Sequence, residues 1–293
     1  TQMTYDRLDR GILHLFFDAG EMAEAGPRAA FLRRFGIRAD ILDARGCTEV
    51  EPALAASGSG FVGGLYAPED ESGDACAFTR QLAARGGNLG VAFRFDRRIE
   101  SLEVRGGRVD AVHLSAPDGT RERLAGDAFV IALGSHGPLL LRRLGEHLPI
   151  YPVKGYSVTL QLAPGSPAPE VSITDERHRI VCSRLGSRLR AAGTAELGGY
   201  DVAINPARCA AILRRAHELF PQLRHDGETE YWAGLRPATP GNVPVIGRGR
   251  LPNLYYNTGH GTLGWTLACG SGRAIAAIVD GGNPLPGFPF RGL

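Results

Sequence analysis

The segment from Tyr256 to Val279, YNTGHGTLGWTLACGSGRAIAAIV, constrains the fold more than any other stretch. The apolar run Asn253-Leu-Tyr-Tyr-Asn257 before it reads as a strand. Thr258-Gly-His-Gly-Thr262 reads as a turn, and Leu263 to Val279 as a helix. The first N–H groups of a helix have no partner within it, and the helix dipole adds positive potential there. A glycine turn at such a point lets backbone N–H groups meet negative charge. Gly259, Gly261 and Gly264 carry no side chain, so a flat or charged ligand can come close. Ala268, Gly270, Gly272 and Ala274 give the helix a thin face suited to lying on a sheet. An ordinary strand–turn–helix, with glycines serving only the turn, meets the same spacing.

A chain of 293 residues suits one large domain or two interleaved ones. Its 43% hydrophobic and 22% charged residues are those of a globular protein. The net charge is +2 and the arginines are scattered, with no basic run interleaved with aromatics, which points away from nucleic acid. Cys47, Cys76, Cys182, Cys209 and Cys269 show no CxxC spacing, so neither a disulfide framework nor a zinc site is expected. A reducing, cytoplasmic setting fits that usage. No signal peptide is read at the start and no apolar run is read as long enough to span a bilayer. Peripheral membrane contact is left open.

Along the chain, Leu8–Phe17 reads as a strand, Glu21–Phe35 as a helix and Gly58–Ala67 as a strand pair. Four acids lie between Pro68 and Asp74; the plainer reading is a solvated turn with Asp74 capping a helix over Ala75–Ala84, Phe78 and Leu82 sharing a face. Gly90–Phe95 and Asp127–Leu133 read as buried strands, and Arg98–Arg105 and Arg108–Ala116 as a hairpin about Gly106-Gly107. Gly134 after a buried strand marks either a carboxyl-end crevice or a plain turn. From Tyr151 the pattern becomes that of an antiparallel sheet, followed by an amphipathic helix over Asn205–Phe220 and a strand over Glu228–Gly234. The Pro/Gly-rich tail after Gly281 reads as a poorly ordered end.

Several of these segments together resemble one family. YPVKGYSVT (151–159), GTAELGGYD (193–201), WAGLRPATPGNVPVIG (232–247) and NLYYNTGHGTLGWTLACGSG (253–272) resemble the bacterial FAD-dependent D-amino acid dehydrogenases of the small-subunit type. PEDESGDACAFTRQLA (68–83) and EVEPALA (49–55) support the likeness, which reaches into the D-amino acid oxidase and glycine oxidase superfamily. Such enzymes begin with a βαβ unit bearing GxGxxG and an acid for the adenosine ribose. That unit is expected to be absent here; GxG at Gly247–Gly249 is followed by Leu251-Pro252 and starts no helix. The expected fold is therefore α/β (α+β), an incomplete FAD/NAD(P)-binding Rossmann-like domain interleaved with an antiparallel-sheet substrate domain. Residues 1–67 and 151–232 are assigned to the substrate domain, 68–150 and 233–293 to the FAD domain.

The resemblance implies oxidation of a D-amino acid to an imino acid, hydrolysed to a 2-oxo acid and ammonia, with FAD accepting hydride and a quinone-type acceptor taking the electrons. Arg236, in GLRP, is implied for the substrate carboxylate, which a guanidinium meets with two parallel N–H donors. Tyr156 in KGYS and His260 between the turn glycines are further catalytic candidates; a strand aromatic and a solvated turn residue are their structural alternatives. Gly259, Gly261, Thr262, Leu263, Gly264, Trp265 and Thr266 are implied at the N1/C2=O edge of the flavin. Ile99, Ala132 and Gly134 are implied at its adenine end, although Ile99 equally suits a strand core. An oxygen-using glycine or D-amino acid oxidase, and a silent fragment lacking the dinucleotide motif, are the competing readings.

Overall fold

The structure, a computed structural model, describes residues 3–284. The tail from position 285 onward, expected as a poorly ordered end, lies outside the described residues. The chain opens with β1 (Ile12–Phe16), α1 (Ala19–Ala23), α2 (Ala25–Arg33), β2 (Asp40–Asp43), α3 (Ala44–Val50), β3 (Gly63–Ala67) and α4 (Ala75–Asn88). It continues through β4 (Arg98–Arg105), β5 (Arg108–Ser115), β6 (Arg121–Ala125), β7 (Phe129–Ile131) and α5 (Gly137–Leu141). Next come β8 (Tyr151–Leu162), β9 (Ser172–Asp175), β10 (Ile180–Leu185), β11 (Arg188–Glu196) and α6 (Pro206–Leu219). The last elements are β12 (His225–Ala238), β13 (Val245–Arg248), β14 (Leu254–Thr258) and α7 (Gly264–Val279).

Two compact units result. The first comprises Thr1–Leu89, Gly155–Glu196 and Val202–Gly234; the second comprises Gly90–Lys154, Leu197–Asp201 and Leu235–Leu293. Helix α4 thus falls in the first unit, whereas the sequence reading gave its residues to the FAD domain.

The first unit is built on an eight-stranded sheet in the order β12-β8-β11-β10-β9-β1-β3-β2. β1 runs parallel to β9 and antiparallel to β3. Its core gathers Leu13, Leu15, Val158, Leu160, Ile173 and Leu189 from the strands with Ile212, Ala216, Leu219 and Phe220 from the α6 segment. α6 forms where it does because Asn205 accepts a hydrogen bond from Ala207 N (3.0 Å) and Pro206 stands at its first turn. Ile212, Ala216 and Leu219 then repeat at helical spacing, which turns one face to the sheet.

Charge is buried in this unit at the end of β9. Asp175 is fully buried and accepts from Arg215 Nε (2.6 Å) and from His178 N (2.9 Å). The Arg215 guanidinium lies over the Phe17 ring, 5.0 Å from its centroid. Next to it, Glu176 pairs with His14 Nδ1 (2.7 Å) and Arg28 (2.8 Å). These partners, the His14 hydrogen bond first, hold the Glu176 carboxyl down to about 2. The folded value lies below that of a free glutamate, so the stabilisation is present above about pH 4.3 and is lost as pH falls toward 2. Glu176→Gln is therefore expected to flatten the loss of stability in that acid window, read from urea midpoints across pH. An unchanged acid limb would contradict it.

Asp74 caps α4 as expected, accepting from Cys76 N (2.9 Å) and Ala77 N (3.0 Å) and pairing with Arg188 (2.8 Å). Asp74→Ala is expected to lower the unfolding free energy by about 1–2 kcal/mol, measured by urea titration. The helix runs on to Asn88, and Leu82 is exposed rather than sharing a buried face with Phe78.

The second unit holds two three-stranded sheets, β13-β14-β7 and β4-β5-β6. β7 runs parallel to β14, and β13 antiparallel to it. The β4–β5 hairpin turns at Gly106-Gly107, both at positive φ (56° and 75°), as its two-residue loop requires. Ile131, Leu141, Leu148, Val245, Leu254 and Tyr256 fill the core. α7 packs on β13 and β14 through Ala274, Ile275 and Ile278, beside Ile246 and Tyr255.

Four sequence expectations need correction. Gly58–Ala67 supplies one strand and not a pair. Gly90–Phe95 forms no strand, and Val91 and Phe95 are exposed. Glu21–Phe35 is two helices that meet at Glu24. The 19-residue helical run Gly261–Val279 does have the length and composition to cross a membrane, at mean hydropathy 1.2. Its C-terminal half rests on a sheet through Ala274, Ile275 and Ile278, while only 22% of the run is buried.

Candidate flavin and substrate site

The candidate site is assembled within the second unit, at the carboxyl ends of β7 and β14. Ligands in α/β sheets gather at this end because loops diverge there and leave a crevice. Three segments meet. A Cβ placed on Gly134 would lie 3.8 Å from Pro237 Cγ, and Thr258 Oγ1 donates to Gly134 O (3.4 Å). A Cβ on Gly259 would come within 2.8 Å of Thr239 Cγ2, and one on Gly261 would lie 3.9 Å from Asn242 Oδ1. The turn after β7, the segment 236–242 and the β14–α7 turn are therefore neighbours. Gly134, Gly259 and Gly261 all adopt positive φ (53°, 77° and 54°), where a side chain would add strain.

Gly261–Leu263 forms a single 3-10 turn, and α7 starts at Gly264 with no side-chain cap. Thr262, Leu263, Trp265 and Thr266 are exposed around this helix start. Arg236 is half-buried at the end of β12, and burial lowers its guanidinium from the ordinary value. Burial also lowers the His260 imidazole, which favours its neutral form. His260 Nε2 is buried with no hydrogen-bond partner among the described residues.

Ile99 and the turn after β7 come together elsewhere in the same unit. Ile99 lines a cavity of about 370 Å³ with Leu133, His136 and Arg143. Ala132 is exposed just before that turn and is not among the lining residues. Tyr156 belongs to the first unit, is buried in its core and donates to Glu196 Oε2 (2.7 Å). Glu196 also pairs with Arg208 (2.8 Å).

Ser135 and Asn257 were missed by the sequence reading. Ser135 Oγ and Asn257 Oδ1 are buried without partners among the described residues, like His260 Nε2, and all three belong to the segments just described. Small polar residues beside glycines carry no distinctive signal; adjacency to Gly134 was the one available clue for Ser135. Lys154 was also missed: it is buried on β8, and its ammonium meets Asp201 Oδ2 at 3.0 Å.

The family match covers most of the chain. The family described as DAO, FAD dependent oxidoreductase, matches residues 1–278. The chain belongs to this family of FAD-dependent oxidoreductases. A D-amino acid dehydrogenase of Dechloromonas aromatica (strain RCB) is 50% identical over 288 residues, which are 98% of this chain and 69% of that relative. A D-amino acid dehydrogenase of Paramagnetospirillum magneticum is 49% identical over 281 residues, 96% of this chain and 65% of the relative. The chain thus spans about two thirds of these relatives' length. The fold matches a glycine oxidase from Geobacillus kaustophilus at TM-score 0.84 and 23% identity, over 98% of this chain and 74% of that one. It matches an L-proline dehydrogenase from P. horikoshii at TM-score 0.83 and 19% identity, over 96% and 75%.

Membership implies FAD, and the residues present fit its flavin end: bare glycines, an uncapped helix start and buried polar atoms awaiting partners. Gly134, Gly259, Gly261 and the first turn of α7 would hold it. The dinucleotide motif needs a correction. As a string, GxGxxG occurs twice, at Gly58–Gly63 and at Gly259–Gly264. The first runs into β3 with no helix after it. The second stands between β14 and α7, yet no strand follows α7 among the described residues. What is missing from the described residues is the βαβ unit, not the string.

Proposed function

We propose that this chain carries the chemistry of a D-amino acid dehydrogenase: a D-amino acid is oxidised to its imino acid, which water converts to a 2-oxo acid and ammonia. The observation that carries the reading is the meeting of Thr239–Asn242, just after Arg236, with the Gly259–Gly261 turn at the ends of two parallel strands. The identity to relatives named D-amino acid dehydrogenase supports the substrate class. When bound, FAD supplies the hydride acceptor.

The chain's own residues do the rest. Arg236 grips the substrate carboxylate with two N–H donors, which fixes the handedness of Cα. The start of α7 favours negative charge placed before it. His260, kept neutral by burial, offers a hydrogen bond without adding charge. A substrate amine in its free-base form needs no general base to release hydride. Electrons then pass to a quinone-type acceptor at the cytoplasmic side of a membrane.

The test is anaerobic titration of the purified chain, supplied with FAD, with D-alanine and L-alanine. D-Alanine alone should bleach the oxidised-flavin band, and a soluble quinone should restore it without peroxide. A colourless protein that FAD fails to reconstitute, or a band that no D-amino acid bleaches, would end this reading.

A further inference from the structure

Two imidazoles meet at one corner of the first unit, where α6 gives way to β12. His217 stands in the last turn of α6, and His225 is the first residue of β12. Their ring centroids are 5.6 Å apart and the ring planes are tilted by 39°. Both rings are half-buried, and neither has a hydrogen-bond or ion-pair partner among the described residues. Their nitrogens are therefore not spent on holding the fold.

The corner that presents them is fixed. Phe220 N donates to Ala216 O (2.9 Å) and Leu223 N to Phe220 O (3.0 Å). Phe220 and Leu223 are buried in the core of the unit, and Arg224 N donates to Ser166 Oγ (2.9 Å). Each histidine has a carboxylate as its chain neighbour, Glu218 and Asp226; Glu218 is engaged by Arg215 (2.9 Å). The cations nearby in the chain are Arg214, exposed on α6, and Arg224, whose guanidinium bonds to Gly165 O (3.0 Å). The last turn of a helix also carries the negative end of its dipole, which favours positive charge placed there.

We propose that His217 and His225 together chelate one divalent transition ion of the nickel, copper and zinc group, with water in its remaining positions. An imidazole nitrogen lies about 2.0–2.1 Å from zinc, so two rings sharing a tetrahedral ion have centroids about 5–6 Å apart. The observed spacing is that of such a pair. Imidazole suits these ions, whereas magnesium and calcium take oxygen ligands. Among the described residues no third His, Cys, Asp or Glu is gathered with the pair, so the ion has two protein ligands and exchanges with solution. Once bound, it ties the end of α6 to β12, the edge strand of the eight-stranded sheet. The site is independent of the flavin reading, and its test uses no activity.

The full chain, free of any affinity tag and carrying Cys76→Ser and Cys269→Ser to remove the two exposed thiols, is titrated calorimetrically with zinc and with magnesium. One equivalent of zinc and no magnesium should bind. His217→Gln and His225→Gln should each weaken zinc binding by about tenfold or more, since even an outer-shell partner is worth that factor. His113→Gln, on β5, is the control and should leave binding unchanged. Circular dichroism melts confirm that each variant folds. Pulsed EPR of the copper-loaded parent needs no variant and should count two imidazoles on the ion. Absence of one-equivalent zinc binding, binding that survives either His217→Gln or His225→Gln, or a copper spectrum with fewer than two imidazoles overturns the proposal.

Discussion

Replacing Arg236 with leucine should raise KM for a D-amino acid about a hundredfold, with a smaller fall in kcat. A guanidinium and a carboxylate joined by two charge-assisted hydrogen bonds are worth about 3 kcal/mol when partly shielded from water, and that energy sets the factor. Arg236 has the required shielding, being half-buried, with its pKa lowered by burial. Most of the loss should appear in KM because the carboxylate is bound alike before and during hydride transfer. Arg236→Lys should fall between, since an ammonium keeps the charge but not the fork. Steady-state kinetics with a dye acceptor on the FAD-loaded enzyme provides the numbers. An unchanged KM would remove Arg236 from the site.

Asp175→Ala should be the most destabilising single change in the first unit, costing about 3–5 kcal/mol. Deleting this carboxylate strands a buried guanidinium: Arg215 is only 7% exposed, and Asp175 is not exposed at all. Arg215 keeps its bond to Glu218 (2.9 Å) and its place over Phe17, which is why the loss stays finite. The double change Asp175→Ala with Arg215→Met removes the stranded charge and should recover much of the stability. Urea unfolding of the single and double variants decides it. A single variant within about 1 kcal/mol of the parent would show that the pair holds nothing together.

The elements legible in the sequence are those whose cause is local. α6 has a capping Asn205, a first-turn Pro206 and a helical apolar period. The β4–β5 hairpin announces itself by two glycines, and α4 by Asp74. Partners decided the rest. Gly90–Phe95 alternates like a strand, but nothing among the described residues pairs with it. β6 and β13 are short and acquire strand character only by lying beside β5 and β14. Gly58–Ala67 looked like two strands because of its glycines; Gly63 and Gly64 instead let β3 lie close to its neighbours, where a Cβ would meet Leu42 O and His14 O at 2.5 Å.

The site divides along the same line. Glycines at positive φ mark the candidate site's turns and were readable; Arg236 rests on the resemblance and on its kinetic test. Ser135 and Asn257 became visible only once burial and missing partners were known.

The lopsided seating of α7 has a practical outcome. Leu263, Trp265 and the residues 268–270 form an exposed, mostly apolar flank among the described residues. A preparation of this chain by itself should therefore be tacky: it should brighten solvatochromic dyes, cling to resins and cloud as it is concentrated.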